Sequence, residues 1–174
     1  MRLAVLASGE GTNLQALLDT VHGREAEVVA VASDKPGARD AAMADWLDER
    51  LVDLVVLAGY MAILDAAFIA RFRDRIINVH PSLLPAFAGV RAIEQALDYG
   101  VKVFGVTVHL VDEGVDTGPI VLQAALELPG ATDADAVHAA LQPLEHRLLP
   151  EAVRLFAAGR IQRDRAHPRR VVVR

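Results

Sequence analysis

The sequence predicts an α/β protein: a doubly wound, mostly parallel sheet with helices on both faces. Three observations predict it. Short apolar runs alternate with segments of helical periodicity, the mark of βαβ units. The runs are continuously apolar, as strands buried on both faces are. A composition of 53% hydrophobic but only 5% aromatic residues builds the core from Ala, Val, Leu and Ile. With 174 residues the chain holds one sizeable core, so a single domain over 1–174 is expected.

The elements follow in order. Arg2–Ala7 reads as a buried strand, ended by the turn Ser8-Gly9-Glu10-Gly11. Leu14, Leu17, Leu18 and Val21 then fall at helical spacing. Glu27–Ser33 is a second strand stopped by Lys35-Pro36-Gly37, and Ala41–Arg50 carries helix formers. Leu51–Ala58, Ile76–His80 and Val101–Leu110 are further strands, separated by helices at Asp65–Phe72 and Arg91–Tyr99. Ile120–Leu128 is a strand whose direction the sequence leaves open. Asp133–Ala158 is helical, with Pro143 and Pro150 expected to break or kink it. Val171–Val173 reads either as a short edge strand or as a loose end.

In doubly wound sheets ligands bind beyond the carboxyl ends of the strands. Ser8–Asn13, Gly59–Leu64, Asn78–Pro85 and Val111–Gly118 each follow a strand, so the sequence places them on one rim.

A net charge of −5 argues against nucleic acid as a partner and leaves small anionic substrates open. The absence of cysteine excludes disulfides, thiolate metal sites and a Cys nucleophile, and suits the cytoplasm. No stretch has the apolar length of a membrane span.

Three constellations carry chemistry. In Ser8–Asn13, glycines between strand and helix let the first helical amides face an anion, aided by the helix dipole. An ordinary turn capped by Thr12 or Asn13 fits the segment equally. In Asn78-Val79-His80, side chains two apart share a face, so a carboxamide that steadies an oxyanion and an imidazole that moves protons can reach one centre. In Val111–Gly118 the three carboxylates lack the EF-hand spacing, and turn chemistry accounts for them. Set beside His80, Asp116 would steady the protonated ring and fix its tautomer. His109 reads as structural. His22, His138 and His167 show no ligand spacing, and His146 follows Glu145 on a helix, a pair that alone establishes nothing.

Taken together, Ser8–Gln15, Val55–Met61, Asn78–Pro85 and His109–Pro119 resemble the folate-dependent formyltransferase family, and most closely its phosphoribosylglycinamide branch. The resemblance implies the formyltransferase fold, 10-formyltetrahydrofolate as co-substrate, no metal, small-molecule partners, no membrane, and a cytoplasmic enzyme of purine synthesis. A homodimer is compatible with it. Residue by residue it assigns catalysis to Asn78, His80 and Asp116, and the phosphoribosylglycinamide site to Gly11, Thr12, Asn13 and Glu145. The folate pocket falls to Met61, Ile63 and Leu64 with Val111, Asp112, Glu113, Gly114 and Val115.

The chain departs from the family pattern in three places. Ala62 stands where the family has Arg, and Ala88-Gly89-Val90-Arg91 replaces Pro-Gly-x-His. One edge αβ unit is missing between Ser33 and Trp46, which would leave Glu27–Ser33 as an exposed edge. Two alternatives stand beside formyl transfer to phosphoribosylglycinamide. One is hydrolysis of the formyl-folate, and the other a catalytically weakened folate- or nucleotide-binding relative.

Overall fold

The computed structural model describes residues 1–8, 10–33, 40–164 and 166–174. Gly9 of the first glycine loop and the Lys35-Pro36-Gly37 turn lie outside them. The chain runs β1 (Arg2–Ala7), α1 (Thr12–Thr20), β2 (Glu27–Ser33), α2 (Asp40–Glu49), β3 (Leu54–Ala58), α3 (Ala66–Arg71) and β4 (Ile76–His80). It continues with α4 (Ala92–Tyr99), β5 (Val103–Leu110), β6 (Ile120–Glu127), α5 (Ala134–Ala157), β7 (Ile161–Arg163) and β8 (Val171–Val173).

Six strands form one sheet in the order β2-β1-β3-β4-β5-β6. The first four are parallel. β5 runs antiparallel to β4 and β6 antiparallel to β5, which fixes the direction that the sequence left open. The link between β5 and β6 is too short for a crossover, so those two must pair as a hairpin. Val171–Val173 is a strand, paired with β7 in a separate hairpin. β2 is the sheet's edge, as the loss of one αβ unit requires, and Val31 on it is 50% exposed.

Alternation along the strands divides the core in two. Leu3, Val5, Leu54, Val56, Ile77, Val79, Phe104, Val106, Val108 and Leu110 face α1, α4 and α5. Ala4, Leu6, Val55, Leu57 and Ile76 face α2 and α3. On this second face the helices stop at Ile76. Beyond it, toward β5 and β6, the loops after β4 and β5 take over, and the chemistry-bearing residues lie beneath them.

Two sequence expectations are corrected. Val111–Gly118 does not start on the rim shared by the other loops. Leu110 pairs with Ile77, and the Val111 N–H donates to the Ile76 carbonyl at 2.9 Å, at the opposite end of β4 from His80. The loop reaches His80 only by folding back along the sheet face. Nor, of the break or kink expected at its prolines, does α5 show the break: it is one helix through Pro143 and Pro150. Each proline forfeits one helical hydrogen bond, but the buried stripe Val137, Leu141, Leu148, Leu149, Ala152 and Val153 keeps the helix on the sheet. The carboxylate of Asp133 caps its start, accepting from the Ala136 N–H at 2.7 Å.

Candidate active site

Period-two geometry sends Ile77 and Val79 into the first core and Asn78 and His80 to the other face. There the folded-back loop brings Asp116 to meet them. Asp116 Oδ2 lies 3.3 Å from His80 Nδ1, and Asp116 Oδ1 accepts from Asn78 Nδ2 at 3.2 Å. The Gly89 N–H donates to Asp116 Oδ2 at 2.8 Å. His80 is buried, and the Asp116 side chain is only 13% exposed.

A fourth side chain joins the three. His109, which the sequence suggested was structural, is buried opposite Asn78 in the sheet register. Its Nε2 lies 3.3 Å from Asn78 Nδ2 and 3.4 Å from Asp116 Oδ1, and its Nδ1 donates to the Leu110 carbonyl at 2.8 Å.

Donor and acceptor counting limits the protonation states. His80 Nε2 sits 2.9 Å from the Phe87 carbonyl, an acceptor only, so that nitrogen carries a proton. Its Nδ1 faces the carboxylate and bonds it only when the ring is doubly protonated. Burial raises the Asp116 carboxyl. The bond from His109, the charge of His80 and the Gly89 N–H outweigh it and lower the group to about 2. Asp116 is therefore ionised at neutral pH.

Backbone strain gathers at the same place. Phe87, Arg91 and Asp116 have φ of 54°, 59° and 52°, a region that side-chain-bearing residues avoid. The loop carrying Asp116 shapes itself. Asp112 Oδ1 accepts from the Gly114 N–H at 3.1 Å and from Thr117 Oγ1 at 2.6 Å. A Cβ at Gly118 would overlap the Leu110 carbonyl, so only glycine closes the turn there. Asp112 thus does turn work. Among the described residues, no group of three or more His, Cys, Asp or Glu side chains is placed to hold a metal ion.

The glycine-rich loop builds a second cluster. Gly11, at φ 74°, is the N-cap of α1, and no side chain caps the helix, so neither Thr12 nor Asn13 plays that part. Asn13 instead donates its Nδ2 to Glu145 Oε2 on α5 at 2.8 Å, and Glu145 is buried. Among the described residues, Ser8 Oγ and Asn13 Oδ1 are buried without a hydrogen-bond partner. This end of the site offers, among the described residues, a helix start without a side-chain cap and two unmet polar atoms, as an anion-bearing ligand would require.

The residues that the resemblance gave to the folate pocket are spread along two loops. Leu64 is buried and Val111 packs on the second core, whereas Met61, Ile63 and Val115 are exposed. Two clefts open on either side of the Asp116 loop. One, of about 220 Å³, is lined by Leu84, Pro85, Ala88, Asp116, Ile120 and Arg169. The other, of about 230 Å³, is lined by Val111 to Gly114 with Ile69 and Arg163. Arg91, which replaces the family's His, points to solvent and pairs with Glu94 at 3.4 Å.

Comparison with known proteins identifies the family and the fold. Residues 37–153 match the formyl transferase family. The phosphoribosylglycinamide formyltransferase of Mycobacterium tuberculosis is 42% identical over 182 residues, covering 90% of this chain and 85% of the relative. That stretch is longer than the chain itself, so the relative carries residues without counterpart here. The trifunctional purine biosynthetic protein adenosine-3 of Drosophila melanogaster is 39% identical over 91% of the chain, and the chain spans only 14% of its length. The crystal structure of glycinamide ribonucleotide transformylase 1 from Symbiobacterium toebii superposes with a TM-score of 0.90 at 41% identity, covering 99% of this chain and 93% of that one. The chain therefore belongs to the formyl transferase family, in its phosphoribosylglycinamide formyltransferase branch.

Proposed function

We propose that the protein moves the formyl group of 10-formyltetrahydrofolate to the amine of 5′-phosphoribosylglycinamide. The observation that carries the reading is the convergence of Asn78, His80 and Asp116 beneath the two loops, while the uncapped α1 terminus stands ready for a phosphate. The acceptor amine attacks the formyl carbon and a C–N bond forms. Asn78 turns an amide N–H onto the developing oxyanion. The bond from the formyl carbon to the folate nitrogen then breaks. The proton lost by the amine reaches that nitrogen by way of His80, whose ring Asp116 orients.

Gly11, Thr12, Asn13 and Glu145 hold the ribosylglycinamide, its phosphate on the α1 amides. Met61, Ile63, Leu64 and the 111–115 backbone hold the folate, with the exposed apolar residues closing on it. The reading takes small molecules as partners and places the enzyme in the cytoplasm. Among the described residues, no helix is long and apolar enough to cross a membrane.

The test follows tetrahydrofolate formation with and without the ribosylglycinamide. Turnover that requires the acceptor is expected. Formate release at full rate without it would reassign the protein as a formyl-folate hydrolase, and tight ligand binding with no turnover would make it a binding relative.

A further inference from the structure

The loop after His80 is fastened to the sheet by two side chains that the chemistry above does not use. β5 turns Phe104, Val106, Val108 and Leu110 into the first core, so Gly105, Thr107 and His109 share the site face. Each meets a different part of the site. His109 Nε2 lies between Asn78 and Asp116, 3.3 Å and 3.4 Å away. Gly105 makes room for Leu83, whose side chain a Cβ there would overlap. Thr107, fully buried, donates to the Ser82 carbonyl at 2.7 Å and accepts from the Leu84 N–H at 3.2 Å.

Gln123 completes the attachment. It pairs with Thr107 across the β5–β6 ladder and donates its Nε2 to the Leu84 carbonyl and to Thr107 Oγ1, both at 2.9 Å. Two side chains thereby hold three backbone groups of the loop, and the Ser82 hydroxyl closes it further by donating to the Ala86 carbonyl at 2.7 Å. A few residues on, the same loop supplies the Phe87 carbonyl to His80 and the Gly89 N–H to Asp116.

We propose that Thr107 and Gln123 are positioning residues for formyl transfer: by fixing Ser82 and Leu84 to the sheet, they set where Phe87 and Gly89 meet His80 and Asp116. Their action is indirect, through the loop. The inference rests on the reading that His80 and Asp116 carry the transfer. Its physical content is that a displacement of the order of an ångström at such a pair lowers the rate without weakening binding.

The experiment compares Thr107→Val, which keeps the shape without the hydroxyl, with Thr107→Ser, which keeps the hydroxyl, and with Gln123→Leu. Gln123 lies on an exposed strand position, so its substitution spares the fold even if the buried valine does not. Thr107→Val and Gln123→Leu should lower kcat about tenfold with both KM values held within about twofold, and Thr107→Ser should restore most of the rate. Amide exchange at Gly89, read by NMR without ligands, should quicken about tenfold in the two deficient variants. Wild-type kcat and Gly89 exchange in both would overturn the proposal, as would equal losses in the serine and valine variants. Were the wild type itself unable to transfer formyl, the functional reading would fall, and the ligand-free exchange would still decide whether these side chains hold the loop.

Discussion

At the end of β4, Asp116 sits in the free protein against Asn78, His80, His109 and the Gly89 N–H, and it, Phe87 and Arg91 accept unfavourable φ angles. At the start of α1 the balance is reversed. Among the described residues, the helix has no side-chain cap, and Ser8 Oγ and Asn13 Oδ1 are buried without partners. The first region is complete before substrate arrives, so its geometry should govern the rate of the chemical step. The second is completed by the ligand, so its substitutions should act on binding. The two can be separated by which kinetic constant each one moves.

The largest effect is expected at Asp116. Asp116→Asn keeps the shape and removes the charge that His80 faces, and kcat should fall by about 10²- to 10³-fold with KM for the ribosylglycinamide little changed. Steady-state kinetics decide it. A loss confined to KM would erase the distinction between the regions.

Next comes the acid stability of the same carboxylate. Its folded pKa, about 2, lies below the ordinary 3.8. The group therefore stabilises the fold fully above the ordinary value and loses that contribution as pH falls through about 2. The ceiling is about 2 kcal/mol. The gap in unfolding free energy between wild type and Asp116→Asn should narrow by up to that amount between pH 5 and pH 2, measured by urea titration at each pH. A gap that stays constant would mean that the carboxylate is not held as the geometry indicates.

At the phosphate end, Asn13→Ala removes the donor to Oε2 of the buried Glu145. KM for the ribosylglycinamide should rise about tenfold while kcat stays within about twofold. Inorganic phosphate should compete with the acceptor in the wild type and more weakly in this variant. A fall in kcat alone would place this cluster with the transfer centre.

How far the sequence could reveal these regions depends on whether the information was local. Asn78 and His80 are two apart on a strand, so their common face follows from period-two geometry. The edge position of β2 follows from the missing unit. Asp116 beside His80 is different, because β5 runs antiparallel and the 111–118 loop must fold back along the sheet. No local pattern carries that, and it took the resemblance to put Asp116 with the other two. His109 read as structural, and nothing in the sequence around it told which residues it would meet. The alternation of Phe104, Val106, Val108 and Leu110 with Gly105, Thr107 and His109 held the signal for its face of the sheet. The prolines of α5 mislead for a related reason: a local rule weighs one lost hydrogen bond and cannot see the buried stripe that offsets it.

The smallest effect tests how much of the transfer centre's order comes from outside it. The C-terminal hairpin flanks the Asp116 loop with two arginines. Arg169 donates to the Thr117 carbonyl at 3.1 Å beside one cleft, and Arg163 pairs with Asp74 at 3.2 Å beside the other. The Arg169 bond is exposed and competes with water, so its net worth is about 0.5 kcal/mol. Arg169→Ala should accordingly lower kcat about twofold, leave KM for the ribosylglycinamide unchanged, and lose its effect in high salt if charge rather than shape carries it. A loss comparable to that of Asp116→Asn would mean that the loop is held chiefly by the hairpin. The self-made turn of Asp112, Gly114 and Thr117 argues for the smaller number, because it closes the loop without any help from the C-terminal residues.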